Sequence, residues 1–183
     1  MIKSWGVVCL LFLALVACSH ESAEDKQIKA TIMRYNQLLI EGYQKMNMNI
    51  LQEAATAKQA EKVYFHMAAL GESRVRMDST LEKMQFTDVK ILSENKAKVK
   101  TKEIWDFRHT NIDTKQVVLE EKNFEYILSY ELVKEGGRWL VSDVSASEGD
   151  SPGHASQPKP AQGRFSSMLR EKQRKSMGSF SHP

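Results

Sequence analysis

Between Lys96 and Arg108 the side chains alternate with a period of two. Ala97, Val99, Thr101, Trp105 and Phe107 fall on one parity, and Lys96, Lys98, Lys100 and Lys102 fall on the other. Four successive lysines cannot be covered on both faces, so this strand belongs to an antiparallel sheet with one wet side. The dry side needs a lid, and the rest of the chain has to supply both the lid and the partner strands.

The lid is legible upstream. From about Gln27, Ile28, Ile32, Tyr35, Leu39 and Met46 recur at helical steps, and Leu38 and Tyr43 widen the stripe. A break is expected near Asn47 and Asn49. A second helix is expected from about Ile50 to Met77, strongest up to Gly71, with Glu72 to Thr80 adding a further turn or two. Its alanines keep it slim enough to lie close to a neighbour. The period then changes. Met84 and Phe86 share one parity while Val89 and Ile91 share the other, a mismatch that a bulge near Thr87-Asp88 repairs. Ser93-Glu94-Asn95 reads as a turn. After a loop at Thr110 to Thr114, Gln116 to Lys134 reads as one long strand or two short ones. Glu135-Gly136-Gly137 is a hairpin turn, and Arg138 to Ser145 is the closing strand. The expected class is therefore α+β, with N-terminal helices packed on a curved antiparallel sheet of about four strands.

The two ends differ in kind from this middle. Lys3 and the apolar run Val7 to Val16 are followed by the small residue Ala17, the three-part layout of a secretory signal. The run is shorter than the ~20 residues of a membrane span. At its end, Leu15-Val16-Ala17-Cys18 resembles the lipobox of bacterial lipoproteins. That resemblance implies removal of residues 1–17 and acylation of Cys18, with chains such as palmitate holding the mature protein to a membrane. Ser19 after the cysteine implies the outer membrane, facing the periplasm. Cys9 would leave with the leader and Cys18 would carry lipid, so the exported domain is expected to rest on its apolar core without a disulfide. Residues 18–26 read as a lipidated spacer, 27–145 as the folded domain and 146–183 as a disordered basic tail. The net charge of +3 lies wholly in that tail, where six basic side chains face three acidic ones. The alkaline balance therefore gives no reason to expect a nucleic-acid partner. Arg164, Arg170, Lys172, Arg174 and Lys175, interleaved with Phe165, Met168 and Leu169, suit an anionic surface instead.

The end of the domain carries a second resemblance. Tyr126 to Val144, reading YILSYELVKEGGRWLVSDV, resembles the final hairpin of the NTF2-like superfamily. There an aromatic-rich strand turns at Gly and returns through a Trp. Lys96 to Thr101 followed by Trp105 is similar to its preceding strand, and the whole is similar to the NTF2-like domain of ARC6-type plastid-division proteins. The resemblance implies a cone in which the curved sheet wraps the helices.

Enzymes of that superfamily, such as ketosteroid isomerases and dehydratases, place acid–base groups inside the cone. Polar residues on apolar strand faces are thus the candidates. Glu103 shares parity with Val99, Thr101 and Trp105, and Asp143 shares parity with Trp139 and Val141. Tyr126 and Tyr130 offer hydroxyls, and Trp105, Tyr126 and Trp139 could line a pocket. Glu103 is expected at a rim or paired with a lysine, Asp143 near an exposed strand end, and His66 at a surface or half-buried helix position. No catalytic residue is assigned. The scattered histidines offer no metal-ligand spacing, and no cofactor is expected. The leading expectation is a non-catalytic binding or assembly module at the cell envelope, with an unknown envelope protein or small ligand as partner. A small isomerase or lyase with a carboxylate base in the cone, and a carrier of an apolar small ligand, are the alternatives. A carboxylate on a pocket wall favours the enzyme, an apolar wall favours the carrier, and a filled cone with an exposed apolar patch favours assembly.

Overall fold

A computed structural model describes residues 21–146 of the chain. Helix α1 spans Ala23–Lys45, a 3-10 turn covers Met48–Glu53, and helix α2 spans Ala57–Glu72. Four strands come next: β1 Val75–Ser93, β2 Lys96–Asn111, β3 Val117–Glu135 and β4 Arg138–Ala146. They pair as an antiparallel meander in the order β1-β2-β3-β4. The α+β class and the curved four-stranded sheet under N-terminal helices are as the sequence implies. The leader, Cys18 and the basic tail lie outside the described residues.

The first helix starts earlier than its apolar stripe. Ser22 caps it by accepting from the Asp25 N–H at 2.9 Å, and the Asp25 carboxylate accepts from the Ser22 N–H at 3.3 Å. The segment expected to be spacer therefore ends at Ser22, not Lys26. At the other end Met46 turns left-handed (φ 53°) and the Asn47 N–H donates to the Gly42 carbonyl. Gly42 permits this return, because a Cβ there would stand 2.6 Å from Met48 Sδ.

The expected helix from Ile50 to Met77 is shorter and divided. The 3-10 turn and the segment Ala54–Thr56 precede α2, and Thr56 caps it. That segment is held by the sheet: the Val141 N–H donates to the Ala54 carbonyl, and the Thr56 N–H donates to the Val141 carbonyl, both at 2.9 Å. A free edge of β4 is thereby covered. Beyond Glu72 the chain is strand, not helix. Arg74 sits at φ 58°, its guanidinium grips Asp113 in a two-pronged ion pair, and Val75 pairs with Asn111. Long-range pairing wins over local helical preference at Val75 to Thr80.

Bulges shape the sheet. On β1 the register slips at Glu82, Thr87 and Leu92, and the Thr87 hydroxyl donates to the Lys100 carbonyl at 3.1 Å. The expected bulge near Thr87-Asp88 is thus present. On β3, Lys122 and Asn123 together oppose Asp106. Asn123 takes φ 55°, and its N–H donates to the Asp106 carboxylate at 2.8 Å. On β4 the slip falls at Ser142, whose hydroxyl donates to the Glu131 carbonyl at 3.0 Å. Each bulge raises local twist and reverses the parity of the residues beyond it.

The core joins the α1 stripe (Ile28, Ile32, Tyr35, Leu38) to the inner sheet face (Ala97, Val99, Tyr130, Leu132, Trp139, Val141), with Leu51, Val63 and Met67 between. The β3–β4 hairpin turns on Gly136 (φ 56°) and Gly137 (φ 80°). A Cβ at Gly137 would meet nothing within 4 Å, so its requirement for glycine is conformational alone. We expect Gly137→Ala to lower unfolding free energy by about 1 kcal/mol, and Gly137→Asn to cost less, as measured by urea denaturation. Equal stability of all three proteins would contradict this turn geometry.

Candidate functional site

Glu103 is fully buried. Three donors meet its two carboxylate oxygens. The Thr101 hydroxyl and the Tyr130 hydroxyl donate to Oε1 at 2.7 and 2.8 Å, and the Trp105 indole N–H donates to Oε2 at 2.7 Å. Thr101 and Trp105 reach it because residues two apart on β2 share one face, and Tyr130 faces it from β3. Tyr130 in turn accepts from Asn36 Nδ2 on α1 at 3.1 Å. A chain of hydrogen bonds therefore runs from the helix to the middle of the sheet. Glu103 is neither at a rim nor paired with a lysine, contrary to the sequence expectation. Parity put it inside, and its neighbours on the same face brought the donors.

Next to this chain lies a pocket of about 140 Å³ that opens to solvent. Tyr35, Asn36, Leu39 and Tyr43 of α1 form one wall. Met77, Ser79, Trp105, Phe107, Tyr126, Leu128, Tyr130 and Val144 from the four strands form the others. The wall is mostly apolar and rich in rings. Trp105 stacks on Phe107 with centroids 5.9 Å apart, Phe107 meets Tyr126 edge-on at 6.1 Å, and Tyr35 meets Tyr130 edge-on at 6.2 Å. Glu103 stands behind this wall, screened by Trp105 and Tyr130. A wider, polar groove of about 500 Å³ adjoins the cavity at Ser79 and Phe107. It is open to solvent and bordered by Asp78, Asp106, Glu121 and the Arg108–Glu120 ion pair.

The other candidates lie elsewhere. Trp139 is buried beneath the first half of α1, where its carbonyl accepts from the Thr31 hydroxyl at 3.4 Å and Lys134 Nζ sits 5.3 Å from its ring centroid. Asp143 is half-exposed and pairs with Lys62 of α2 at 2.8 Å. Its sequence parity with Trp139 pointed inward. The bulge at Ser142 reverses that parity, so Val144 takes the inward place instead. Of the five candidates, Trp105 and Tyr126 line the cavity, Glu103 backs it, and Trp139 and Asp143 stay outside.

Sequence reasoning missed Asn36, Tyr35, Tyr43 and Leu128 as wall residues. The signal for Asn36 was available: a polar residue four positions after Ile32 and eight after Ile28 lies on the buried stripe. His66 Nδ1 is hydrogen-bonded to the hydroxyl of Tyr43, a wall residue. Loss of hydration lowers the His66 pKa, and His109 adds to the effect. Burial raises the tyrosines. Tyr35 is pushed up to about 12, and Tyr43 and Tyr130 are also raised, Tyr130 with a further contribution from the adjacent Glu103 carboxylate. Among the described residues no group of three or more His, Cys, Asp or Glu side chains is placed to hold a metal. No helix among them is long and apolar enough to cross a membrane.

No family model matches the chain, and no curated protein does. Solved structures do. The intermembrane-space region of the chloroplast protein ARC6 superposes with a TM-score of 0.59 at 12% identity, covering 66% of this chain and 94% of that one. A protein of unknown function from Mycobacterium tuberculosis gives 0.51 at 10% identity, covering 83% and 95%. An NTF-2 like protein of unknown function from Shewanella oneidensis gives 0.43 at 12% identity, covering 66% and 98%. The likeness is one of fold: helices packed on a curved antiparallel sheet.

This geometry has two measurable consequences. In Glu103→Gln one donor must face another donor, since Thr101, Tyr130 and Trp105 all point hydrogens at the carboxylate. With its oxygen kept toward Tyr130, the new amide opposes the indole N–H. We expect a loss of about 2 kcal/mol, and a smaller loss when Trp105→Phe removes that N–H. A double-mutant cycle by urea denaturation measures this coupling, and additive effects would contradict it. The raised tyrosines set an alkaline limit. Above pH 10 the unfolded chain ionises its tyrosines while Tyr35 and Tyr130 stay protonated in the fold, so the unfolded state binds fewer protons and stability falls. The stabilisation is complete below pH 10 and is lost as pH rises toward the folded values. The urea midpoint should therefore drop between pH 9 and pH 11, and a flat profile would count against buried hydroxyls.

Proposed function

We propose that this protein is a non-catalytic, lipid-anchored binding module of the cell envelope, whose cone takes up a small apolar ligand. The observation that carries the binding role is the ring-lined cavity between α1 and the sheet, with the buried carboxylate behind its wall instead of on it. An isomerase or lyase needs a proton-transfer group within hydrogen-bond reach of its substrate. Glu103 would have to give up Trp105 or Tyr130 to reach one. An assembly module is expected to have a filled cone, and this one keeps an open, ring-lined pocket.

The anchoring half of the reading rests on Leu15-Val16-Ala17-Cys18. In it, Cys18 becomes the first residue and bears the acyl chains. Residues 19–22 leave only a short tether before the cap of α1. Arg164, Arg170, Lys172, Arg174 and Lys175 would add attraction to an anionic surface, each contributing roughly 1 kcal/mol at most near such a membrane.

Each half has its own test. Intact mass of the protein recovered from its native membrane should show a chain beginning at Cys18 with acyl mass added, and an unmodified full-length chain would sink the anchor. For the cavity, saturating toluene should raise the thermal midpoint of the purified protein by a few degrees, as any ligand that binds only the folded state does. Leu39→Trp, which fills the void, should abolish that shift. An unmoved midpoint in the wild-type protein would sink the binding role.

A further inference from the structure

Where the ring-lined pocket meets the polar groove, a carboxylate stands without a counter-charge. Glu121 of β3 lies opposite Phe107 of β2 in the register, so the two side chains share the inner face of the sheet. Phe107 borders both the pocket and the groove, and Glu121 lines the groove. The basic groups of the groove are engaged elsewhere: Arg108 pairs with Glu120 at 2.8 Å, and Lys122 is nearest the same Glu120, at 3.9 Å. The other acids there have partners too. Asp78 pairs with Arg76 at 3.0 Å, and Asp106 accepts from the Asn123 N–H at 2.8 Å. Among the described acidic side chains of the groove, Glu121 is the one with neither an ion pair nor a hydrogen bond. Its charge reaches its neighbours nonetheless. Burial raises the Tyr126 hydroxyl and Glu121 raises it further, whereas loss of hydration lowers His109 and Glu121 only opposes that fall. A lowered His109 is neutral at neutral pH and supplies no cation.

Resting on the binding role proposed above, we infer that the ligand is an organic cation, whose apolar body lies among Trp105, Phe107 and Leu128 and whose ammonium group meets the Glu121 carboxylate at the mouth of the pocket. Two features of the wall agree on the sign of the charge. The carboxylate attracts a cation directly, and the faces of aromatic rings carry negative potential that attracts one as well. Phe107 meets Tyr126 edge-on at 6.1 Å, and Phe124 lies 4.5 Å from Tyr126, so the rings nearest Glu121 form one connected group. An ammonium group on an apolar frame uses both halves of the site. A neutral molecule of the same shape uses only the apolar half. An apolar anion, such as a fatty acid, brings a like charge to Glu121 with no free basic group in the groove to offset it.

The test compares three guests that share a phenyl body and differ in charge: 2-phenylethylammonium, 2-phenylethanol and phenylacetate. Each is titrated into the purified wild-type protein at neutral pH and low salt, and affinity is read by heteronuclear NMR from the resonances of Phe107, Tyr126 and Leu128. The ammonium should bind roughly threefold to thirtyfold tighter than the alcohol, the combined range of one exposed ion pair and one cation–π contact, and phenylacetate should bind more weakly than either. In Glu121→Gln, with folding checked by circular dichroism, the alcohol should bind as before and the ammonium should lose its advantage. Equal affinities in the wild-type protein, or a preference for phenylacetate, would overturn the inference without any variant. An ammonium preference that survives Glu121→Gln would overturn it too. Binding of none of the three would overturn it together with the pocket's binding role, whereas binding without regard to charge leaves that role standing and removes only the cationic ligand.

Discussion

A fully buried carboxylate sets the terms for the rest of this domain. Glu103 carries acceptor capacity into a place without water, and such a group is destabilising unless its hydrogen bonds are supplied by the fold. Each donor that supplies them fixes a structural element. Thr101 and Trp105 bond to it along β2, Tyr130 ties in β3, and Asn36, through Tyr130, ties in α1. Apolar contact alone would let α1 slide or roll on the sheet, since burial has no direction. The hydrogen-bond chain has a direction, and it holds one helix register against one strand register. It also fixes the planes of Trp105 and Tyr130, and those rings are the cavity wall.

The cavity exists because the cover and the sheet do not match along their whole length. The first half of α1 meets the tightly filled region around Val99, Leu132, Trp139 and Val141. Its second half faces the part of the sheet where bulges on β1, β3 and β4 bend the strands and bring rings of mixed size to one side. Aromatic side chains are stiff and large, and six of them around one space do not interdigitate as aliphatic ones do. The void is therefore a consequence of what the strands carry at Trp105, Phe107, Tyr126 and Tyr130. The hydrogen bonds that hold Trp105 and Tyr130 in place oppose its collapse.

Much of the fold could be read from the chain because its period signals are clean. The alternation from Lys96 to Phe107 placed Glu103 inside, the swapped parities around Thr87 marked a bulge, and the pair Gly136-Gly137 marked the hairpin. Three features were not legible, each for a physical reason. Val75 to Thr80 carries no strong period, and only its pairing with Thr110 and Asn111, anchored by Arg74 and Asp113, makes it strand. The bulge at Ser142 leaves no trace in composition, yet it exchanges the roles of Asp143 and Val144. Asn36 was passed over because an apolar stripe is read by its apolar members, and the polar residue that interrupts one is what a buried network needs. Glu103 itself was placed on the right face and given the wrong surroundings, since the expectation of a rim assumed that no set of donors would be waiting.

The same set of donors bears on what Glu103 can do. A general base needs a lone pair facing its substrate and freedom to change protonation as the reaction proceeds. Here Oε1 already receives two hydroxyls, and Oε2 faces an indole N–H whose ring lies between the carboxylate and the void. To reach a guest, the carboxylate would have to break at least one charge-assisted bond and displace Trp105, which is itself stacked on Phe107. Each of those moves also loosens the wall that would hold the guest. The network thus favours a preorganised receptor, in which ordering has been completed before the ligand arrives and little further ordering is needed on binding. The polar character that could have driven chemistry is turned inward to hold the rings.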